Sequence, residues 1–267
     1  MIDLTNKRAM VCGSTQGIGK ASAMILAGQG ASITLVARNE DALKQVLQEL
    51  PANANQKHDY IVADFNQPEE LKKSVEAYLS PTKHHLGDAG FHILLNNSGG
   101  PPGGEIINAK VEDFVQTFQR HLVCNHILTQ LLVPDMKKNK YGRIINIIST
   151  SVKEPIKGLG VSNTIRASVA NWSKTMAIEL GPFGITVNNV LPGSTETVRI
   201  EEIINNVSKK SGKTPEQVKV DMISKVPVGR FAMADEIAYA VAFLASPEAA
   251  YINGINLPVD GGRTGCL

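Results

Sequence analysis

The chain has 267 residues, 43% of them hydrophobic and 19% charged, and its formal net charge is +2. That composition excludes a disordered chain and leaves enough apolar residues for a sizeable core. The near balance of charge speaks against a nucleic-acid partner or an anionic membrane surface. Three cysteines, Cys12, Cys124 and Cys266, stand far apart with no C-x-x-C pair. They exclude a disulfide framework and a thiolate zinc site and fit a reducing compartment. No run reaches the roughly 18 apolar residues of a membrane span. Residues 1–10 carry Asp3, Lys7 and Arg8 and no apolar signal core, so the expected location is the cytoplasm.

Short apolar runs alternate with longer amphipathic ones. Strands are predicted at Arg8–Cys12, Ser32–Ala37, Asp59–Val62, 92–95, 143–148, 186–191 and 255–259. Most are nearly continuous in apolar character, as strands buried on both faces are. Helices are predicted between them. The first covers 19–29, and a second covers 40–50 with Asn39 as its cap. A third, Pro68–Leu79, opens on Pro-Glu-Glu. A single long helix covers 110–138, with Pro134 near its end. Another runs over 162–180 and stops at Gly181-Pro182, and Ala234–Ala245 is the last. No repeat, low-complexity tract or linker divides the chain. Residues 1–267 therefore read as one α/β domain, a doubly wound and mostly parallel sheet with helices on both faces.

Two segments break the rhythm. Residues 97–104 read Asn-Ser-Gly-Gly-Pro-Pro-Gly-Gly after the fourth strand, and 195–228 hold one or two amphipathic helices around Ser211-Gly212. Both leave from carboxyl ends of strands, where such sheets bind ligands, so they are expected to border the site.

The first strand runs into Gly13-Ser14-Thr15-Gln16-Gly17-Ile18-Gly19 and then a helix. Gly13 permits the sharp turn, Gly17 lets backbone approach a pyrophosphate, and Gly19 lets helix pack on strand. The helix N-terminus then offers free N–H groups to phosphate. Within a βαβ unit this reads as dinucleotide binding. The second strand ends Val36-Ala37-Arg38-Asn39, with no acid to hold the ribose 2′-hydroxyl of NAD(H). Arg38 suits the 2′-phosphate, so NADP(H) is favoured over NAD(H). The plain alternative makes Arg38 a solvated surface residue.

The spacing Gly13-x-x-x-Gly17-x-Gly19 resembles the short-chain dehydrogenase/reductase family, whose fold is Rossmann-like. Further marks follow in order: Ala63-Asp64-Phe65, Asn96-Asn97-Ser98-Gly99, the strand ending in Ser149, Pro192-Gly193 with Thr195 and Thr197 beyond, Gly229-Arg230-Phe231, and Asp260-Gly261-Gly262. In general pattern the chain is most similar to 3-oxoacyl-acyl-carrier-protein reductases. The resemblance implies that Asp64 and Phe65 meet the adenine, that Asn97, Ser98 and Gly99 border the cofactor, and that Pro192, Gly193, Thr195 and Thr197 lie on its nicotinamide side. It also implies a homotetramer, because the family builds four-helix contacts from the helices matching 110–138 and 162–180.

The chemistry of the family rests on Asn, Ser, Tyr and Lys. Ser149 fits the serine. Ser162 and Arg166 stand where the family has Tyr and Lys, and ungapped counting puts the Asn position on His121. No Tyr in the chain has Lys four residues later. A serine hydroxyl is a far weaker acid than the phenol of Tyr. Arg166 lies one helical turn from Ser162 and holds positive charge, but it does not lose a proton. A proton donor is then sought in His121, with an ordinary pKa of about 6.5, in Lys153 or Lys157, or in water between Ser149 and Ser162. The plain alternatives are a core histidine and solvated loop lysines. His84, His85 and the pair His121/Cys124 lack metal-ligand spacing, and Ser149 lacks the G-x-S-x-G elbow of a hydrolase.

Two functions remain on these grounds. One is NADP(H)-dependent hydride transfer between a carbonyl and an alcohol on a small molecule. The other is cofactor binding without that chemistry, as a sensor or scaffold. The apolar residues Ile203, Ile204, Val207, Val218 and Met222 favour a moderately apolar substrate, or else simply pack their own segment.

Overall fold

A computed structural model describes residues 2–53, 55–80 and 90–266. Its centre is a seven-stranded, all-parallel sheet in the order β3-β2-β1-β4-β5-β6-β7. The strands are β1 (Arg8–Cys12), β2 (Ser32–Ala37), β3 (Asp59–Val62), β4 (Ile93–Asn96), β5 (Gly142–Ile147), β6 (Ile185–Pro192) and β7 (Asn256–Val259). The apolar runs of β1, β2, β4, β5 and β6 are continuous because successive side chains point to opposite faces and both faces are covered. Ala9 and Val11 of β1 join one core layer, with Leu26 of α1 (Gly17–Gly28), Leu43 of α2 (Glu40–Glu49) and residues of α9 (Ala234–Ala245). Met10 and Cys12 face the other layer, with Leu71 of α3 (Pro68–Leu79), Leu128 of α5 (Cys124–Asn139) and Ala177 of α6 (Gly160–Leu180). The helix caps follow the local chemistry: Asn39 Oδ1 accepts from the Ala42 amide at 3.0 Å, starting α2.

The predicted helix over 110–138 is two helices. The chain forms α4 (Val111–Phe118), then a π-helical turn over Gln119–Val123, and then α5. The extra residue in a π turn shifts the phase of the side chains that follow and bends the helix. Apolar spacing alone does not reveal it. His121 lies in this turn. The segment 195–228 forms α7 (Val198–Ser211) and α8 (Pro215–Ile223), divided at Gly212, whose φ of 72° only glycine takes up easily. Thr214 and Gln217 close a reciprocal capping box at the start of α8.

One feature of the sheet lies hidden within apolar runs. Asn96, Asn146, Asn189 and Asn256 occupy paired positions on β4, β5, β6 and β7. Their side chains bond in series, from Asn96 Nδ2 to Asn146 Oδ1 at 2.8 Å, Asn146 Nδ2 to Asn189 Oδ1 at 3.0 Å and Asn189 Nδ2 to Asn256 Oδ1 at 2.8 Å. A buried amide is costly unless bonded, so the ladder ties neighbouring strands into one register. It crosses the sheet beneath the carboxyl ends, from which Asn97, Ser149 and Gly193 emerge.

Candidate active site

A cleft of about 620 Å³ runs along the carboxyl ends of the strands, a size suited to a whole cofactor or ligand. At its centre is the β1–α1 loop. Gly13 and Gly17 have φ of 58° and 54°. A Cβ on Gly19 would overlap the carbonyl oxygen of Gly13, so only glycine lets the helix start this close to the strand. Asn97 Nδ2 donates to the carbonyl oxygens of Cys12 and Gly13, both at 3.3 Å, and anchors the turn. The N-cap residue of α1, Gln16, makes no side-chain capping hydrogen bond, which leaves the first amides of the helix for a phosphate. Thr15, Gln16, Gly17 and Ile18 line the cleft. Ser14 does not; it is fully buried, with its hydroxyl toward the Val36 carbonyl at 3.5 Å.

Arg38 is exposed at one end of the cleft and makes no ion pair with any described residue. Beside it are Asp64 and Phe65. Asp64 Oδ1 accepts from Asn66 Nδ2 at 2.8 Å. Asn66 Oδ1 in turn accepts from Arg120 Nε at 2.9 Å, and Arg120 Nη1 reaches the Gly99 carbonyl at 3.3 Å. Arg120 thus ties the loop after β3 to the loop after β4. It borders the cleft and carries no mark in the sequence beyond its neighbour His121.

The other end of the cleft gathers Ser98, Gly99, Ser149, Ser162, Arg166, Pro192, Gly193, Thr195 and Thr197. Ser149 caps a short 3₁₀ turn, and its Oγ accepts from the Ser151 amide at 3.1 Å. With its lone pair used inward, the hydroxyl proton is available to a ligand. Arg166 is 9% exposed, and its Nη1 donates to the Ile147 carbonyl at 2.6 Å. Burial first, and then the charge of Arg199, push its pKa down to about 10. The Pro192-Gly193 turn rests against the C-terminal signature: a Cβ on Gly193 would come 2.7 Å from Asp260 Cα. Thr197 closes over the phosphate loop, 3.1 Å from where a Cβ of Gly17 would be.

His121 is not in the cleft wall. It is 3% exposed behind Ser98, with Nδ1 and Ser98 Oγ 2.9 Å apart and Nε2 unpartnered among the described residues. Burial, and then the charges of Arg166 and Arg120, hold its pKa well below the ordinary range. At neutral pH the ring is neutral. Lys153 and Lys157 also lie outside the cleft lining. Among the described residues no Tyr, Lys or His lines the cleft, whose charged groups are Arg38, Arg120, Arg166 and Arg199 against Asp64 and Glu202. No three His, Cys, Asp or Glu side chains cluster as a metal site among the described residues; His84 and His85 lie outside them. No helix among the described residues is long and apolar enough to cross a membrane.

Residues 13–264 match the family described as enoyl-(acyl carrier protein) reductase. The NADPH-dependent reductase BacG of Bacillus subtilis is 31% identical over 259 residues, 97% of this chain and 98% of BacG. The 3-oxoacyl-[acyl-carrier-protein] reductase FabG of Haemophilus influenzae is 34% identical over 259 residues, again 97% and 98% of the two chains. Among solved structures, L-sorbose reductase from Gluconobacter frateurii complexed with NADPH and L-sorbose superposes with a TM-score of 0.89 at 29% identity, covering 100% of this chain and 99% of its own.

Proposed function

Because the chain belongs to the short-chain dehydrogenase/reductase family, we propose that it is an NADPH-dependent reductase converting a small-molecule carbonyl to an alcohol at Ser149, Ser162 and Arg166. The observation that carries this reading is one continuous cleft. It joins the glycine loop and the open N-terminus of α1 to the outward hydroxyl of Ser149. Gly13, Gly17 and Gly19 would hold the pyrophosphate, Arg38 the 2′-phosphate, and Asp64 and Phe65 the adenine side. NADPH, when bound, supplies the hydride.

The chain's own groups prepare the acceptor. Ser149 donates to the carbonyl oxygen and orients it. Arg166 places a fixed positive charge where negative charge develops on that oxygen. Arg166 keeps its own protons, and neutral His121 stands behind Ser98, so the proton reaches the oxygen from water between the Ser149 and Ser162 hydroxyls. A 3-oxoacyl group, the substrate in the name of the Haemophilus relative, is one carbonyl of this kind.

The absence of a titratable donor among the described lining residues favours one second reading, a protein that binds NADPH without turning it over. The test is loss of reduced-nicotinamide absorbance in the presence of ketones, 3-oxo esters and 3-oxo acids. The reductase reading expects oxidation that depends on protein and acceptor. Binding of NADPH with no oxidation by any of them leaves the sensor or scaffold.

We assign the protein to the cytoplasm and to a tetramer on the same footing. Ile107 and Val111 are 86% and 72% exposed beside the exposed Val115 and Phe118 of α4, an apolar face without a partner in the single chain. Light scattering of dilute protein is expected to give four copies, and a stable monomer contradicts the assignment.

A further inference from the structure

Two guanidinium groups converge at the reacting end of the cleft, and no acid among the described residues neutralises the inner one. A Cβ on Gly100 would come 3.5 Å from Arg199 Nη2 and 3.9 Å from Arg166 Nη2, so both groups flank the same glycine. Arg199, on α7, donates from Nη2 to the Pro101 carbonyl at 2.6 Å and pairs through Nη1 with Glu202 at 3.1 Å. Arg166 makes no ion pair, and its buried Nε has no hydrogen-bond partner, among the described residues. A buried charge without a counter-charge is costly, and two like charges side by side add to the cost. Such a pair is balanced when an anion enters between them.

The cofactor's anionic groups have their own receptors, the glycine loop for the pyrophosphate and Arg38 for the 2′-phosphate. Arg166 stands one helical turn from Ser162, at the end where the carbonyl is reduced. We propose that Arg166 and Arg199 receive a carboxylate of the substrate, so that the reductase acts on free oxo acids rather than on neutral ketones or acyl esters. The inference rests on the reductase reading and narrows it. Guanidinium groups bind carboxylate through paired, charge-assisted bonds. The hydride from NADPH joins the carbonyl carbon, NADPH leaves as NADP⁺, the C=O π pair moves to oxygen, and a proton from water completes the hydroxyl. The carboxylate is unchanged and serves to position the substrate. Ile200 and Ile203 of α7 also line the cleft, and they leave room for an apolar tail.

The test compares 3-oxohexanoate with its methyl ester, which removes the charge and keeps the carbonyl. The expected result is a kcat/KM for the acid about 10- to 100-fold above that of the ester. Arg199→Gln, on the partly exposed start of α7, should reduce that ratio toward one through KM and leave the NADPH dissociation constant as it was. Equal turnover of acid and ester overturns the proposal. So does an Arg199→Gln variant that loses NADPH affinity in proportion, because the pair then serves the cofactor. Calorimetry on the protein saturated with NADP⁺ separates this proposal from the reductase reading. Binding of 3-oxohexanoate in preference to its ester supports the carboxylate site even when no turnover occurs. Preference for inorganic phosphate over the carboxylate contradicts it.

Discussion

Replacing Arg38 by Asp is expected to weaken NADPH binding about 10- to 100-fold and to bring NADH to equal or better affinity. The size follows from the loss of a charge-assisted contact worth about 1.5–3 kcal/mol and the arrival of a like charge opposite the 2′-phosphate. Arg38 is exposed and unpaired among the described residues, so its removal breaks no internal contact. Fluorescence titration of both reduced nucleotides at one fixed ionic strength reads the change, since salt screens exposed charge. Equal affinity of the unmodified protein for NADPH and NADH would contradict the role given to Arg38.

The second large effect is a gain. Ser162→Tyr combined with Arg166→Lys should raise reduction of neutral ketones by about 10²-fold or more, the ordinary contribution of a positioned proton donor. Arg166 carries fixed charge and keeps its protons even with its pKa pushed down to about 10. A phenol beside an ammonium group titrates, and Ser149 is already in place to hold the oxygen. Each single change should do less, because phenol and ammonium act as a unit. Leu159 and Ile147 also line the cleft, and the larger ring needs room beside them. The double variant is compared at saturating NADPH with steady-state rates on a cyclic ketone. A folded, NADPH-binding double variant as slow as the parent would show that more than a proton donor is missing.

Much of this architecture is legible in the amino-acid sequence. Where both faces are buried no polar alternation is left, so β1 and β2 fall where the apolar runs begin and end; the edge strand β3, half-exposed, follows its short apolar run as well. β4 to β7 differ by at most one residue at each end, where hydrogen-bonded pairing rather than composition sets the limit. Asn39 and Gly212 were legible because a cap and a left-handed turn each demand a residue type. The π turn at Gln119–Val123 was not, because no residue preference announces it. The asparagine ladder is hidden for a different reason: each strand contributes one Asn to it, and only the register brings the four together.

The candidate site divides in the same way. The glycine loop carries its geometry in its spacing, and the structure places most of it on the cleft. Ser14 turns inward, a direction set by the Val36 carbonyl on the neighbouring strand. His121 had the right pKa as a free side chain, yet the π turn sets it behind Ser98, where burial keeps it neutral. Arg120 and Arg199 carry no motif. They enter the cleft because tertiary contacts with Asn66, Gly99 and Pro101 direct them there. Charge that converges from distant segments is invisible in a linear reading.

The central claim is that this cleft passes hydride from NADPH to a carbonyl carbon. The direct measurement uses NADPH deuterated at its transferable position, incubated with the protein and 3-oxohexanoate, with the product analysed by mass spectrometry and proton NMR. The expected product is a 3-hydroxy acid carrying one deuterium at the former carbonyl carbon, formed in step with NADP⁺. Recovery of unreacted acceptor beside fully reduced, protein-bound NADPH with 3-oxohexanoate, its methyl ester and a cyclic ketone alike would contradict it.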